Sequence, residues 1–298
     1  NQGFPKSRSI KQLIFYLKYF VLIRAWLKES QSEIPEYLDE IIFYLGKSYS
    51  ILCQGKSKTI LFNGNHETDS KNFDSYLNNH GYKFKSNSFE TGGYIFLKNK
   101  KINLIMDIGS SPEKKFSKNY QCGALSFEII SNDKKLVCNS GYFQKTKHKL
   151  NDISKSSANH STLIIDNHSS CKINKSTMEI ENALKILNKN FVVEKNYWNI
   201  SASHDGYSKQ YGVVHERQIE FFPENNKFVG QDKLIKKKNF KSSNFEIRFH
   251  LEPDTKVMKT QDTKSILIDI ENEGWKFSAQ GYTIDLETGL YFGKKNSF

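Results

Sequence analysis

The texture of this chain changes once, at Gly55, and that change limits its fold more than any other feature. Before it, apolar residues recur at helical spacing. Residues 10–27 form a dense apolar run broken by Lys11, Lys18 and Arg24, too short and too charged to make a good membrane span. Ser32-Glu33-Ile34-Pro35 reads as a helix start with proline near the first turn. Leu38, Ile41, Ile42 and Leu45 then mark a second helix over 36–52. Two helices joined by a short loop predict an antiparallel hairpin, which cannot bury its apolar face alone.

After Gly55, short β-branched and aromatic runs follow one another, separated by Asn, Asp, Ser and Gly clusters. Strands are expected at 59–62, 93–97, 102–106, 124–130, 135–139, 161–166, 191–194, 198–203 and 212–222. Further strands are expected at 227–230, 245–251, 265–271, 275–280 and 289–292. Ser131-Asn132-Asp133-Lys134 is a hairpin turn, and 74–79 and 176–189 have helical character. The predicted fold is mainly β: a large antiparallel multi-stranded β-sandwich over 56–298, preceded by a short α-helical segment over 1–55.

The 22 Phe and 15 Tyr can fill a core, so wholesale disorder is excluded. A mean hydropathy of −0.62 excludes a polytopic membrane protein. The net charge of +12 suggests an anionic partner. Its source weakens a nucleic-acid reading, because the only arginines are Arg8, Arg24, Arg217 and Arg248, and phosphate and base readers favour the arginine fork. Drift toward lysine in an AT-rich genome explains the charge equally well. Cys53, Cys122, Cys138 and Cys171 form no metal-finger spacing, and they leave the redox compartment open. No nucleotide-binding glycine loop, HExxH, Gly-x-Ser-x-Gly or EF-hand loop occurs.

Five polar clusters remain. Asn159-His160-Ser161-Thr162 leads into an apolar strand, and a histidine there is either an acid/base group or a loop cap. Ser203-His204-Asp205-Gly206-Tyr207 gathers an imidazole, a carboxylate and a phenol at a sharp turn. Alternation places Val213, His215 and Arg217 on one strand face, lining a groove or facing solvent on an edge strand. In 245–251, Phe245, Ile247, Phe249 and Leu251 are expected inward, with Glu246, Arg248 and His250 in a cross-strand ladder. Asn63-Gly64-Asn65-His66-Glu67 is a polar hinge or a turn.

In this order the clusters resemble the C-terminal half of the heparinase II/III family of polysaccharide lyases. The carrying segments are Phe62-Asn63-Gly64, Gly123-Ala124-Leu125-Ser126-Phe127-Glu128, Leu136-Val137-Cys138-Asn139-Ser140-Gly141 and Ala158-Asn159-His160-Ser161-Thr162-Leu163. His204-Asp205-Gly206-Tyr207, His215-Glu216-Arg217 and Phe249-His250-Leu251 complete the set. The resemblance implies that 1–55 are the end of an incomplete α/α toroid. It implies a cleft between toroid and β-domain, and β-elimination on a uronic-acid-containing acidic polysaccharide. It implies catalytic roles for His160, His204 and Tyr207, and substrate contacts for Asn63, Asn119 and Arg217. It implies a carbon–oxygen lyase when full length, and a periplasmic or cell-envelope location, the cytoplasm remaining open. With most of the toroid missing, the chain is either a fragment, which the apolar run at 10–27 favours, or a stripped-down relative.

The chain departs from the family where zinc-containing members carry His-x-His-x-Asp. Asn119, Gln121 and Gly123 stand there, and Asn139 replaces the metal-binding Asp of the next strand. Only His160 of the three ligand positions is retained. Gln121, Asn139 and His160 are therefore degenerate zinc positions, with a hydrogen-bonded structural cluster as the alternative. The eroded positions leave a second class open, a non-catalytic glycan-binding or envelope protein that kept the fold. The sequence implies no oligomeric state.

Overall fold

The computed structural model describes residues 3–56, 58–67, 70–145 and 148–294. Three helices come first: α1 (Ile10–Glu29), α2 (Glu36–Leu52) and α3 (Ser70–Asn79). A five-stranded antiparallel sheet follows, made of β1 (Glu90–Thr91), β2 (Tyr94–Lys98), β3 (Ile102–Asp107), β4 (Phe127–Ser131) and β5 (Lys134–Val137), paired in chain order. Helix α4 (Lys149–Lys155) and strand β6 (Leu163–Ile165) lead to β7 (Ile186–Val193) and β8 (Trp198–His204). A turn of helix, α5 (Ser208–Tyr211), precedes β9 (Val213–Phe222) and β10 (Lys227–Lys236). Strands β7 to β10 make a four-stranded antiparallel sheet. Strand β11 (Phe245–Ile247) pairs with β6, and β12 (Lys256–Lys259), β13 (Ser265–Asp269) and β14 (Gly274–Ser278) form a three-stranded sheet.

The five-stranded sheet is covered on both faces, which explains its nearly continuous apolar strands. Tyr94, Phe96, Ile105 and Ile130 pack with the helices, in one core with Leu13, Leu17, Leu38, Ile42 and Tyr49. The alternate residues Ile95, Leu97, Leu104, Met106 and Ile129 meet Trp198, Ile200, Ile219 and Phe221 of the second sheet. Ile266 and Ile268 of the third sheet close the same core. The result is a β-sandwich with helices on one outer face.

Ser9 caps α1 by accepting the Gln12 N–H. Ile10, Leu13, Leu17 and Val21 bury one stripe of that helix. Its far side shows Phe15, Tyr16, Tyr19, Ile23 and Trp26 to solvent, Trp26 at 58%. A helix apolar all round is built for cover on more than one side.

Arg8 locks this helical face to the sheet. Its guanidinium uses all five N–H donors. The acceptors are the carbonyls of Gly92, Gly93, Gly109 and Ser110 and the Asp107 carboxylate, at 2.6–3.2 Å. The Tyr94 ring lies 4.8 Å from the guanidinium carbon, and the Tyr94 hydroxyl donates back to the Arg8 carbonyl at 2.7 Å. A Cβ on Gly109 would lie 2.4 Å from the Arg8 Cζ. With every donor committed the guanidinium cannot swing aside, so Gly109→Ala is expected to cost about 2–3 kcal/mol. Gly230→Ala, which meets open space, should be near neutral. Urea unfolding of both variants checks this, and equal midpoints would remove the argument.

Several expectations need correction. Residues 59–62 are not a strand: Glu128 accepts the Leu61 N–H at 3.0 Å and Asn65 donates to the Ile60 carbonyl at 2.7 Å. Side chains there stand in for a strand neighbour. Residues 176–189 are not helical, because 176–185 are irregular and β7 begins at Ile186. In 245–251 only Phe245–Ile247 is strand. Phe245 and Phe249 are partly exposed, and Arg248 bonds Glu246 two residues back along its own segment at 3.0 Å rather than across a ladder. Of 289–292, only Phe292 makes a bridge, to Gly141. Helices α4 and α5 and strands β1 and β12 lie outside the predicted elements.

Candidate functional site

Most of the candidate residues share one buried polar seam across the sandwich. It begins between α2 and α3. Asn63, held at φ +42°, donates to Tyr94 and accepts the Gln121 N–H at 3.1 Å. Gln121 accepts the Gly64 N–H at 3.0 Å and donates to the carbonyls of Gly141 and Ser154 at 2.9 and 2.6 Å. Asn139 accepts the Ser161 N–H at 3.0 Å. The Ser161 carbonyl in turn accepts from Arg217 at 2.7 Å.

The seam continues through three strands whose register brings its members face to face. His204 of β8 lies opposite His215 of β9, and Arg217 of β9 lies opposite Asp232 of β10. Arg217 forks onto Asp232, Nε at 2.8 Å and Nη2 at 3.1 Å, while Nη1 reaches the carbonyls of Leu125 and Ser161. His215 Nε2 meets Asp232 at 2.6 Å and its Nδ1 meets His204 Nε2 at 3.1 Å.

The proton order in this chain follows from its far end. His204 Nδ1 accepts the Gly206 N–H at 3.1 Å, so its proton sits on Nε2 and is donated to His215 Nδ1. His215 must then carry its proton on Nε2, donated to Asp232. Both rings are neutral. Burial holds both histidines below the ordinary value, His204 far below, with His215 and Arg217 adding to the effect on His204. Burial works to raise the Asp232 carboxyl, yet Arg217 and the His215 hydrogen bond outweigh it and hold it below the usual range.

The sequence-derived roles meet this geometry unevenly. Arg217, expected at substrate, is 2% exposed and has four of its five donors committed inward. The alternation along β9 is as expected, but its polar face points into the sandwich rather than to a groove or to solvent. His204 is equally buried and has both ring nitrogens engaged. Tyr207 is buried and donates to the Leu163 carbonyl at 2.8 Å. Burial raises its phenol above the ordinary value. Asn63 is likewise enclosed, whereas Asn119 is half-buried against Gly64. His160 differs from all of these: it is 1% exposed and neither ring nitrogen has a hydrogen-bond partner. Its ring rests against Gly123, where a Cβ would come within 2.9 Å. Burial, with a smaller effect of His250, pushes it down to about 3.

The degenerate zinc positions do not fit zinc. The Gln121 oxygen is taken by a backbone N–H and its nitrogen faces carbonyls. Asn139 spends its oxygen on Ser161, which leaves an amide nitrogen that cannot ligate. His160 alone offers lone pairs, and zinc takes three or four N, S or O donors. No group of three or more His, Cys, Asp or Glu side chains among the described residues is placed to hold a metal.

Asp232 was not singled out from the sequence. A signal exists: Phe228, Gly230, Asp232 and Leu234 share one face of β10, and an acid amid that apolar alternation marks a buried partner. Glu128 and Lys135, both buried and 3.2 Å apart, and Arg8 were missed in the same way.

The comparisons agree with this architecture. The model of the heparinase II/III-like C-terminal domain matches residues 83–297. No curated protein sequence matches the chain. A heparinase III structure superposes with a TM-score of 0.77 at 15% identity, covering 100% of this chain and 48% of that one. A second heparinase III superposes at 0.68 and 16% identity, covering 91% and 46%. The heparan sulfate lyase HepC of Pedobacter heparinus superposes at 0.67 and 16%, covering 90% and 43%. The chain thus spans a little under half the length of these structures. At such identity the superpositions speak for the fold, and the family model covers most of the chain: it belongs to the heparinase II/III-like family through that family's C-terminal domain.

Proposed function

We propose that this chain is the β-domain part of a polysaccharide lyase acting by β-elimination on a uronic-acid-containing acidic polysaccharide. The carrying observation is the match of the whole chain to one half of a heparinase III. In the reaction a base takes the C5 proton beside the uronate carboxylate. The C4–O bond breaks, a C4=C5 double bond forms, and the leaving oxygen receives a proton. The side chains of the seam are committed to one another, so their part is to build and stiffen the cleft floor. Proton-transfer groups then come from further structure in the full-length protein. The bare aromatic face of α1 is where such structure has a surface to meet, in keeping with α1 and α2 as the end of a helical domain. Each of the four arginines is paired with an acid, so an anionic glycan would meet lysine.

The test is incubation of full-length protein with acidic polysaccharides, read as ultraviolet absorbance of the unsaturated uronate. Its appearance on at least one uronate polymer is expected. Glycan binding without the absorbance would favour the second reading, a glycan-binding protein that kept the fold, which the occupied amide oxygens of Gln121 and Asn139 support. Neither absorbance nor binding would sink both.

A further inference from the structure

The segment that carries metal ligands in zinc-containing members is held here by two other kinds of link. Cys122, next to Gln121, is disulfide-bonded to Cys171 across a sequence separation of 49. Both are buried, in a cluster with Tyr120, Ile173 and Ile180. The backbone around the bridge is closed as well. The Cys122 N–H donates to the Lys155 carbonyl at 2.8 Å, and its carbonyl accepts from the Ser170 hydroxyl at 3.2 Å. On its other side Gln121 binds the backbone of Gly64, Gly141 and Ser154. Two consecutive residues thus tie together the loop between α2 and α3, the turn after β5, the end of α4 and the segment before β7. Cys53 and Cys138 are free and buried. Burial pushes the Cys53 thiol up to about 12 and raises Cys138 as well, so neither competes as a reactive thiol.

We propose that the Cys122–Cys171 disulfide, with the Gln121 amide beside it, does the cross-linking that zinc does in metal-containing members, making this domain independent of metal and dependent on oxidation. The bridge forms by thiol–disulfide exchange with a disulfide-bearing oxidant, protein or small molecule. Cys122–SH and Cys171–SH lose two protons and two electrons as the S–S bond forms, and the oxidant's S–S bond breaks to two thiols. Such exchange belongs to an oxidising compartment, in keeping with the periplasm or cell envelope.

The experiment uses full-length protein purified without reductant. Non-reducing proteolysis with mass spectrometry should recover a peptide pair linked through Cys122 and Cys171. A strong chelator should leave the melting temperature within about 1 °C, because no metal link is removed. The double variant Cys122→Ala/Cys171→Ala should melt about 3–7 °C lower, the effect of releasing a loop of this length in a protein of this size. Should that variant fail to fold, wild-type unfolding midpoints with and without a dithiol reductant replace it, and a clear fall with reductant is expected. Unlinked thiols, or equimolar zinc whose removal lowers the melting temperature, would overturn the proposal. These readouts are independent of lyase activity, so failure here leaves the proposed reaction standing.

Discussion

Arg217→Met should destabilise the domain by about 3–5 kcal/mol, the usual cost of removing one partner of a buried ion pair. The substitution keeps the apolar stem but leaves Asp232 with His215 alone, and strands the carbonyls of Leu125 and Ser161 inside the sandwich. Arg217→Lys should lose about half as much, since one ammonium cannot serve a two-point carboxylate contact and two carbonyls together. The double variant Arg217→Met/Asp232→Leu should recover part of the loss by removing the orphaned charge. Guanidinium unfolding measures all three. A loss below about 1 kcal/mol for Arg217→Met would mean that the network is not what holds β8, β9 and β10 to the segment around Ser161.

Acid should weaken the fold steeply, and histidine sets where the fall begins. His160 and His204 titrate in the unfolded chain near 6.5, whereas in the folded chain burial holds His160 near 3 and His204 far below its ordinary value. Between those limits the unfolded state binds protons that the folded state refuses. Stability is therefore full above pH 6.5 and declines as pH falls. Two such groups give about 3 kcal/mol per pH unit. His215, also lowered by burial, adds in the same direction. Geometry explains the refusal at His204, because a second proton would sit on Nδ1, facing the Gly206 N–H. Unfolding free energies at pH 7.5, 6.5, 5.5 and 4.5 should show the slope, and His160→Gln/His204→Gln should remove about two protons from it. A flat profile from 6.5 to 5.5 would show that these rings take up protons in the folded state.

Much of the fold was legible because its strands report local rules. The alternation on β9 survives as written, with Val213, His215, Arg217, Ile219 and Phe221 all buried. The helices at 10–29 and 36–52 follow from apolar spacing, and the second also from Pro35 near its first turn; the Ser9 cap of the first came from the structure. Errors fell where backbone groups are satisfied by distant side chains. Glu128 completes the bonding of Leu61 from 67 residues away, and no pattern within 59–62 announces that. The candidate site was half legible for the same reason. His160, His204 and Arg217 stand out by residue type, but whether a polar face looks to solvent or to the core depends on what the next sheet covers.

The sequence by itself determined the two opening helices, the antiparallel β class and the family, since each rests on local periodicity or on motif order; the first strand begins only at Glu90, after α3, and not at Gly55. Only the tertiary structure decided that Arg8 and Arg217 are internal fasteners, that His204, His215 and Asp232 form one proton-ordered chain, and that Cys122 meets Cys171. Those pairings join residues 11 to 99 positions apart. Their partners are chosen by strand register and sheet packing, and propensity carries no information about either.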